Sequence, residues 1–87
     1  MNFTLKIHEI RYNYNEKTKK ISTTMRVIVE DSKSYFNEGV YNVDSDNINF
    51  NYDSLLPEET KNKLISQIKK TLKSFKNYTK SEFNFDI

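Results

Sequence analysis

From Phe3 the chain alternates apolar with polar, placing Phe3, Leu5 and Ile7 on one side, then slips phase at His8-Glu9 and resumes as Ile10, Tyr12 and Tyr14. Period two on either side of one slip predicts a single long strand carrying a bulge. The polar run 15–19 predicts a turn, after which Ile21, Thr23, Met25, Val27 and Val29 line one face of a second strand. The two strands are expected to form an antiparallel hairpin. Asp31-Ser32-Lys33-Ser34 then turns the chain into an extended stretch, 35–44, in which Gly39 interrupts the alternation. That interruption is read as a bulge in preference to a tight turn at Asn37-Glu38-Gly39. After a loop at 44–47, Ile48, Phe50 and Tyr52 alternate with asparagines as a short extended segment.

The period then changes. Asp53-Ser54 offers an N-cap, and Pro57, Glu58 and Glu59 suit a first helical turn, so a helix is expected to begin near Leu55. Leu64, Ile65, Ile68, Leu72 and Phe75 fall within roughly 100° of arc, an apolar stripe. Lys63, Lys69, Lys70, Lys73, Lys76 and Lys80 occupy the opposite side. Residues 81–87 return to period two, which predicts a last short strand. The expected fold is α+β, in the order β-β-β-(β)-α-(β): an antiparallel sheet of three to five strands with one long amphipathic helix packed on one face.

Eighty-seven residues make one domain, 1–87, with room for a single core. Only 36% of residues are apolar, but six Phe and six Tyr are among them, so the core is expected to be aromatic-rich. The absence of cysteine excludes disulfides, thiolate nucleophiles and thiolate metal sites. The first residues alternate and contain no continuous apolar run, so a soluble, cytoplasmic protein without membrane attachment is expected. Asn, Lys, Ile, Tyr and Phe, the residues of AT-rich codons, make up about half of the chain, and alanine is absent. Part of the lysine content therefore reflects codon usage.

Charge is segregated along the chain. Residues 1–29 carry six cations against two anions, residues 30–59 one against eight, and residues 60–87 seven against two. A lysine-rich helix face could track phosphates, with Lys69, Lys70, Lys73 and Lys76 as its contacts. Against that, Arg11 and Arg26 are the sole arginines and both lie in strands, whereas phosphate and base recognition favours the arginine fork. Nucleic-acid binding is thus the second reading, and a solvated helix face the first. The acidic segment lacks the glycine and terminal glutamate of a calcium loop, and turn chemistry accounts for Asp44 and Asp46. His8, at the expected bulge, is the sole histidine, and no nucleophile elbow surrounds any serine. Neither catalysis nor a cofactor or metal is expected.

One helix covers one face of a sheet, and the slips at His8-Glu9 and Gly39 are expected to bring apolar residues to both faces. Candidates for the uncovered side include some of Tyr12, Tyr14, Ile28, Phe36 and Val40. Together with carboxylates that could attract a basic cleft, they give a candidate partner-binding set of Tyr12, Tyr14, Phe36, Glu38, Asp44 and Asp46. The expected occupant is a protein or a second copy of the chain.

The small size, the AT-rich residue bias and the lack of catalytic residues resemble the small accessory and inhibitor proteins of phages and mobile elements in low-GC bacteria, anti-CRISPR proteins among them. The resemblance is one of general type and assigns no residue. It implies a protein that acts by binding another macromolecule.

Overall fold

A computed structural model describes residues 2–31, 35–51, 56–75 and 81–87. The elements are β1 (Asn2–Asn15), β2 (Lys20–Asp31), β3 (Phe36–Asn42), β4 (Asn47–Phe50), α1 (Glu58–Lys73) and β5 (Glu82–Asp86). They form a five-stranded sheet in the order β4-β3-β2-β1-β5, every neighbouring pair antiparallel, with α1 against one face. The α+β expectation holds, and both short segments, at 47–50 and 82–86, are strands.

The bulge in β1 lies where the pattern slips. Ile7 faces Val27 and Glu9 faces Arg26, so the two strands differ by one residue there. Because a bulge inserts one residue, it restores the phase that the sequence slip would otherwise destroy. Leu5, Ile7, Ile10, Tyr12 and Tyr14 consequently share one face, opposite Val29, Val27, Met25, Thr23 and Ile21. On that face α1 sets Leu64, Ile68 and Leu72 against Phe3, Leu5, Met25, Val27, Val29 and Tyr41 to form the core. Phe75, just beyond α1, meets Phe83 edge-to-face at 6.0 Å, and Phe3 meets Tyr35 in the same way at 5.6 Å.

Gly39 departs from the expectation. The β2–β3 register runs unbroken from Thr24↔Asn42 to Glu30↔Phe36, so there is no bulge at Gly39. Its role is close approach instead, since a Cβ there would lie 2.9 Å from both the Asn49 carbonyl oxygen and Phe50 Cδ1. The missing side chain lets the Phe50 ring lie across β3.

The helix starts later than the pattern suggests. Pro57 is its N-cap, without a side-chain capping bond, and Glu58 and Glu59 supply the negative first turn. The capping expectation for Asp53-Ser54, like the extended reading of Tyr52, lies outside the described residues.

Candidate functional site

The longest element shapes the surface. At about 3.3 Å per residue, the fourteen residues of β1 span about 46 Å, close to the 44 Å long axis of the molecule, whose other extents are 27 and 18 Å. Among the described residues only β2 accompanies it that far. β5 pairs with β1 from Asn2 to Lys6, and β3 pairs with β2 from Thr24 to Glu30. The end of the β1–β2 hairpin therefore projects as a two-stranded arm, in which every residue from 11 to 21 is exposed.

Local chemistry builds the arm. Asn15 Oδ1 accepts the Lys17 and Thr18 amides at 2.9 and 3.2 Å, and the Lys19 amide donates to the Asn15 carbonyl at 2.8 Å. These bonds close the tip over a left-handed Lys19 (φ 60°). At the base, the Thr23 amide donates to Asp44 Oδ2 at 3.1 Å and the Val43 amide to the Thr23 carbonyl at 3.0 Å. The turn between β3 and β4 thus braces the arm where it leaves the sheet.

One face of the arm is apolar. Tyr12 is opposite Thr23 and Tyr14 opposite Ile21, and Tyr12, Tyr14 and Ile21 are 63%, 58% and 62% exposed. This is the core-bearing face of the sheet, continued past the packed core. The expectation that Tyr12 and Tyr14 join Phe36 and Val40 on the uncovered face is therefore corrected: the bulge keeps both tyrosines in phase with Leu5 and Ile7. Ile21 belongs to the cluster and was missed as a site residue. The signal was available, because closing the hairpin over 16–19 puts Ile21 across from Tyr14.

The opposite face carries a smaller apolar set. Phe36 and Val40 are exposed and flank Glu38 on β3, while Ile28 faces Glu38 from β2. Around them the charges are paired. Lys6 Nζ lies 2.8 Å from Glu30 Oε1, and Glu9 takes both Arg11 and Arg26. The Glu9 carboxyl is held below its ordinary range, chiefly by the hydrogen bond from Arg11.

The two loop carboxylates have internal partners. Asp44 is the brace acceptor already described. Asp46 accepts from the Tyr41 hydroxyl at 2.7 Å and lies 3.1 Å from Lys73 Nζ. Of the expected partner-binding set, then, Tyr12 and Tyr14 cluster on one face, Phe36 and Glu38 on the other, and Asp44 and Asp46 hold the fold together. Three of the ion pairs, Lys6–Glu30, Lys63–Glu59 and Lys73–Asp46, join the acidic middle of the chain to its basic flanks, so part of the segregation along the sequence becomes neutralisation in space.

Lys63, Lys70 and Lys73 are exposed on α1 and Lys69 is half-buried. Lys63 is paired with Glu59 at 3.3 Å, one helical turn away, and Lys73 with Asp46. Lys76 lies outside the described residues. His8 is exposed at the bulge. Among the described residues no three His, Cys, Asp or Glu side chains are grouped to hold a metal ion, and no helix is long and apolar enough to cross a membrane. Comparison with known protein families, curated proteins and solved structures finds no match to this chain.

Proposed function

We propose that this chain is a small, non-enzymatic protein-binding module of the accessory or inhibitor type found in phages and mobile elements, and that it grips its partner with the β1–β2 arm. The observation that carries this reading is the Tyr12–Tyr14–Ile21 face. An isolated two-stranded ribbon is marginal in water and gains nothing from exposing two tyrosines and an isoleucine on one side. Tyrosine is enriched at interfaces because its ring buries area while its hydroxyl stays hydrogen-bonded. Short length and AT-rich residue usage support the accessory-protein type. The second reading, nucleic acid on the helix lysines, is weakened by the engagement of Lys63 and Lys73 with Glu59 and Asp46.

Affinity capture from a low-GC bacterial lysate tests the proposal, run with and without nuclease on the wild type and on Tyr12→Ser and Tyr14→Ser. A nuclease-resistant protein should bind the wild type and bind each variant about tenfold more weakly, the usual effect of truncating an interface tyrosine. Both variants should melt with the wild type. Capture that disappears with nuclease, and with Lys69→Gln/Lys70→Gln/Lys76→Gln but not with the tyrosine variants, would move the function to nucleic acid.

A further inference from the structure

The two edges of the arm are unequal. On the β2 side, the turn between β3 and β4 closes the edge at Thr23, leaving three residues, 20–22, beyond it. On the β1 side, β5 pairs as far as Lys6↔Glu82, and the Ile7 amide donates to the Ser81 carbonyl at 2.8 Å. Past the bulge, residues 9–15 pair with β2 on one edge, and no strand among the described residues pairs with the other. Such an edge is a row of backbone donors and acceptors ready for another strand.

β5 shows which chemistry this edge of β1 takes. Phe83 and Phe85 sit on the core-bearing face opposite Leu5 and Phe3, and Glu82, Asn84 and Asp86 sit on the other. Glu82 is registered with Lys6, and the Thr4 hydroxyl donates to Asn84 Oδ1 at 2.9 Å. Beyond the bulge the alternation of β1 is the same in kind. Tyr12 and Tyr14 continue the apolar face, while Arg11, Asn13 and Asn15 continue the polar one, with Lys20 beside Asn15. Between residues 9 and 20 the cations Arg11, Lys17, Lys19 and Lys20 outnumber the anions Glu9 and Glu16.

We infer that the 9–15 edge of β1 takes an extended segment of a protein partner as an added strand in line with β5. That segment alternates aromatic side chains, set against Tyr12 and Tyr14, with acidic or amide ones set beside Arg11, Asn13 and Asn15. The inference rests on the protein-binding reading and specifies its mode: backbone hydrogen bonds hold the strand, side-chain alternation selects it and the basic tip favours acid in it.

Amide hydrogen exchange tests it directly, with a synthetic peptide of about six residues, the usual strand length, alternating phenylalanine with glutamate and asparagine. At saturation the peptide should slow exchange within residues 9–15 by at least about tenfold, a sign of bonded amides. Binding should weaken with salt and fall about tenfold in Tyr14→Ser, and a peptide with lysine in place of glutamate should not bind. Unchanged exchange at 9–15, or slowing confined to β4, the other edge of the sheet, would overturn the inference. Protection that grows with protein concentration alone would assign the edge to a second copy, and protection by a single-stranded oligonucleotide would assign it to nucleic acid; either overturns it. A captured partner that is lost in Tyr12→Ser yet leaves 9–15 unprotected would overturn strand addition while protein binding stands. Absence of any tyrosine-dependent protein partner would instead overturn the protein-binding reading.

Discussion

Tyr41 and Asp46 are joined by a 2.7 Å hydrogen bond that runs from a fully buried ring to a turn carboxylate. Asp46 adopts a left-handed backbone (φ 52°), and its other oxygen meets Lys73 in the last turn of α1. One side chain therefore links the core of β3, the turn after it and the end of the helix. Burial, and next the bond to Asp46, push the Tyr41 phenol from 10.0 up to about 12. The folded state favours the neutral phenol, so this contribution is complete below pH about 10 and is lost as pH rises toward about 12. Tyr41→Phe keeps the ring and should cost about 1 to 3 kcal/mol at neutral pH. Urea titrations at pH 9 and above pH 11 should show the difference between wild type and variant shrinking.

Acid reverses the sign. Hydrogen bonds from Tyr41 first, and then from Lys73, hold the Asp46 carboxyl below its ordinary 3.8. The unfolded chain takes up its proton first as pH falls, so the stabilisation is present above about pH 4 and disappears as pH drops through the folded value. Asp46→Asn should destabilise at pH 7 and converge on the wild type near pH 2, as followed by thermal melts across that range.

Gly39→Ala should destabilise by about 1 to 3 kcal/mol, the usual range for overpacking. The added methyl meets a backbone oxygen as well as the Phe50 ring, both at 2.9 Å. Phe50→Leu should consequently rescue it only in part. Amide exchange should locate the damage in β4, which among the described strands pairs with β3 alone.

Ile68→Ala or Leu72→Ala should cost about 2 to 5 kcal/mol, because both side chains are essentially buried against the sheet. Lys70→Ala on the exposed side of α1 should stay within about 0.5 kcal/mol of wild type. Chemical denaturation separates the two outcomes, and equal effects would place the packed face elsewhere.

Lys19→Gly should leave stability unchanged or raise it by up to about 1 kcal/mol, because glycine removes the steric cost of the left-handed conformation while adding entropy to the unfolded chain. Guanidinium titration reads the shift. A loss would mean that the lysine side chain anchors the tip of the arm.

The strand count, the helix stripe and the bulge were legible because each leaves a mark in the order of apolar residues. Ile68 and Leu72 had to face something, and Ile10 could rejoin Leu5 only across an inserted residue. The consequence of the slip was harder to read. It suggested that Tyr12 and Tyr14 change faces, whereas the bulge is the device that keeps them on one. Their exposure depends on how far α1, β3 and β5 extend alongside β1, which no pattern within β1 encodes. The charge blocks misled for a related reason, since antiparallel pairing puts Lys6 beside Glu30 although the two are distant in sequence. Gly39 broke the alternation for the sake of Phe50, a residue on another strand.

His8 is the residue that the ladder between β1 and β2 does not count. Removing it would leave all the other pairings in sequence, Ile7 with Val27 followed directly by Glu9 with Arg26, and would leave every side chain on its present face. What would change is the direction of the strand, because a bulge bends and further twists its ribbon. The arm therefore carries its contact chemistry in Tyr12, Tyr14 and Ile21 and its aim in a single inserted position. A one-residue deletion, which elsewhere in the ladder would turn a face inside out, could here repoint the arm without altering what it presents.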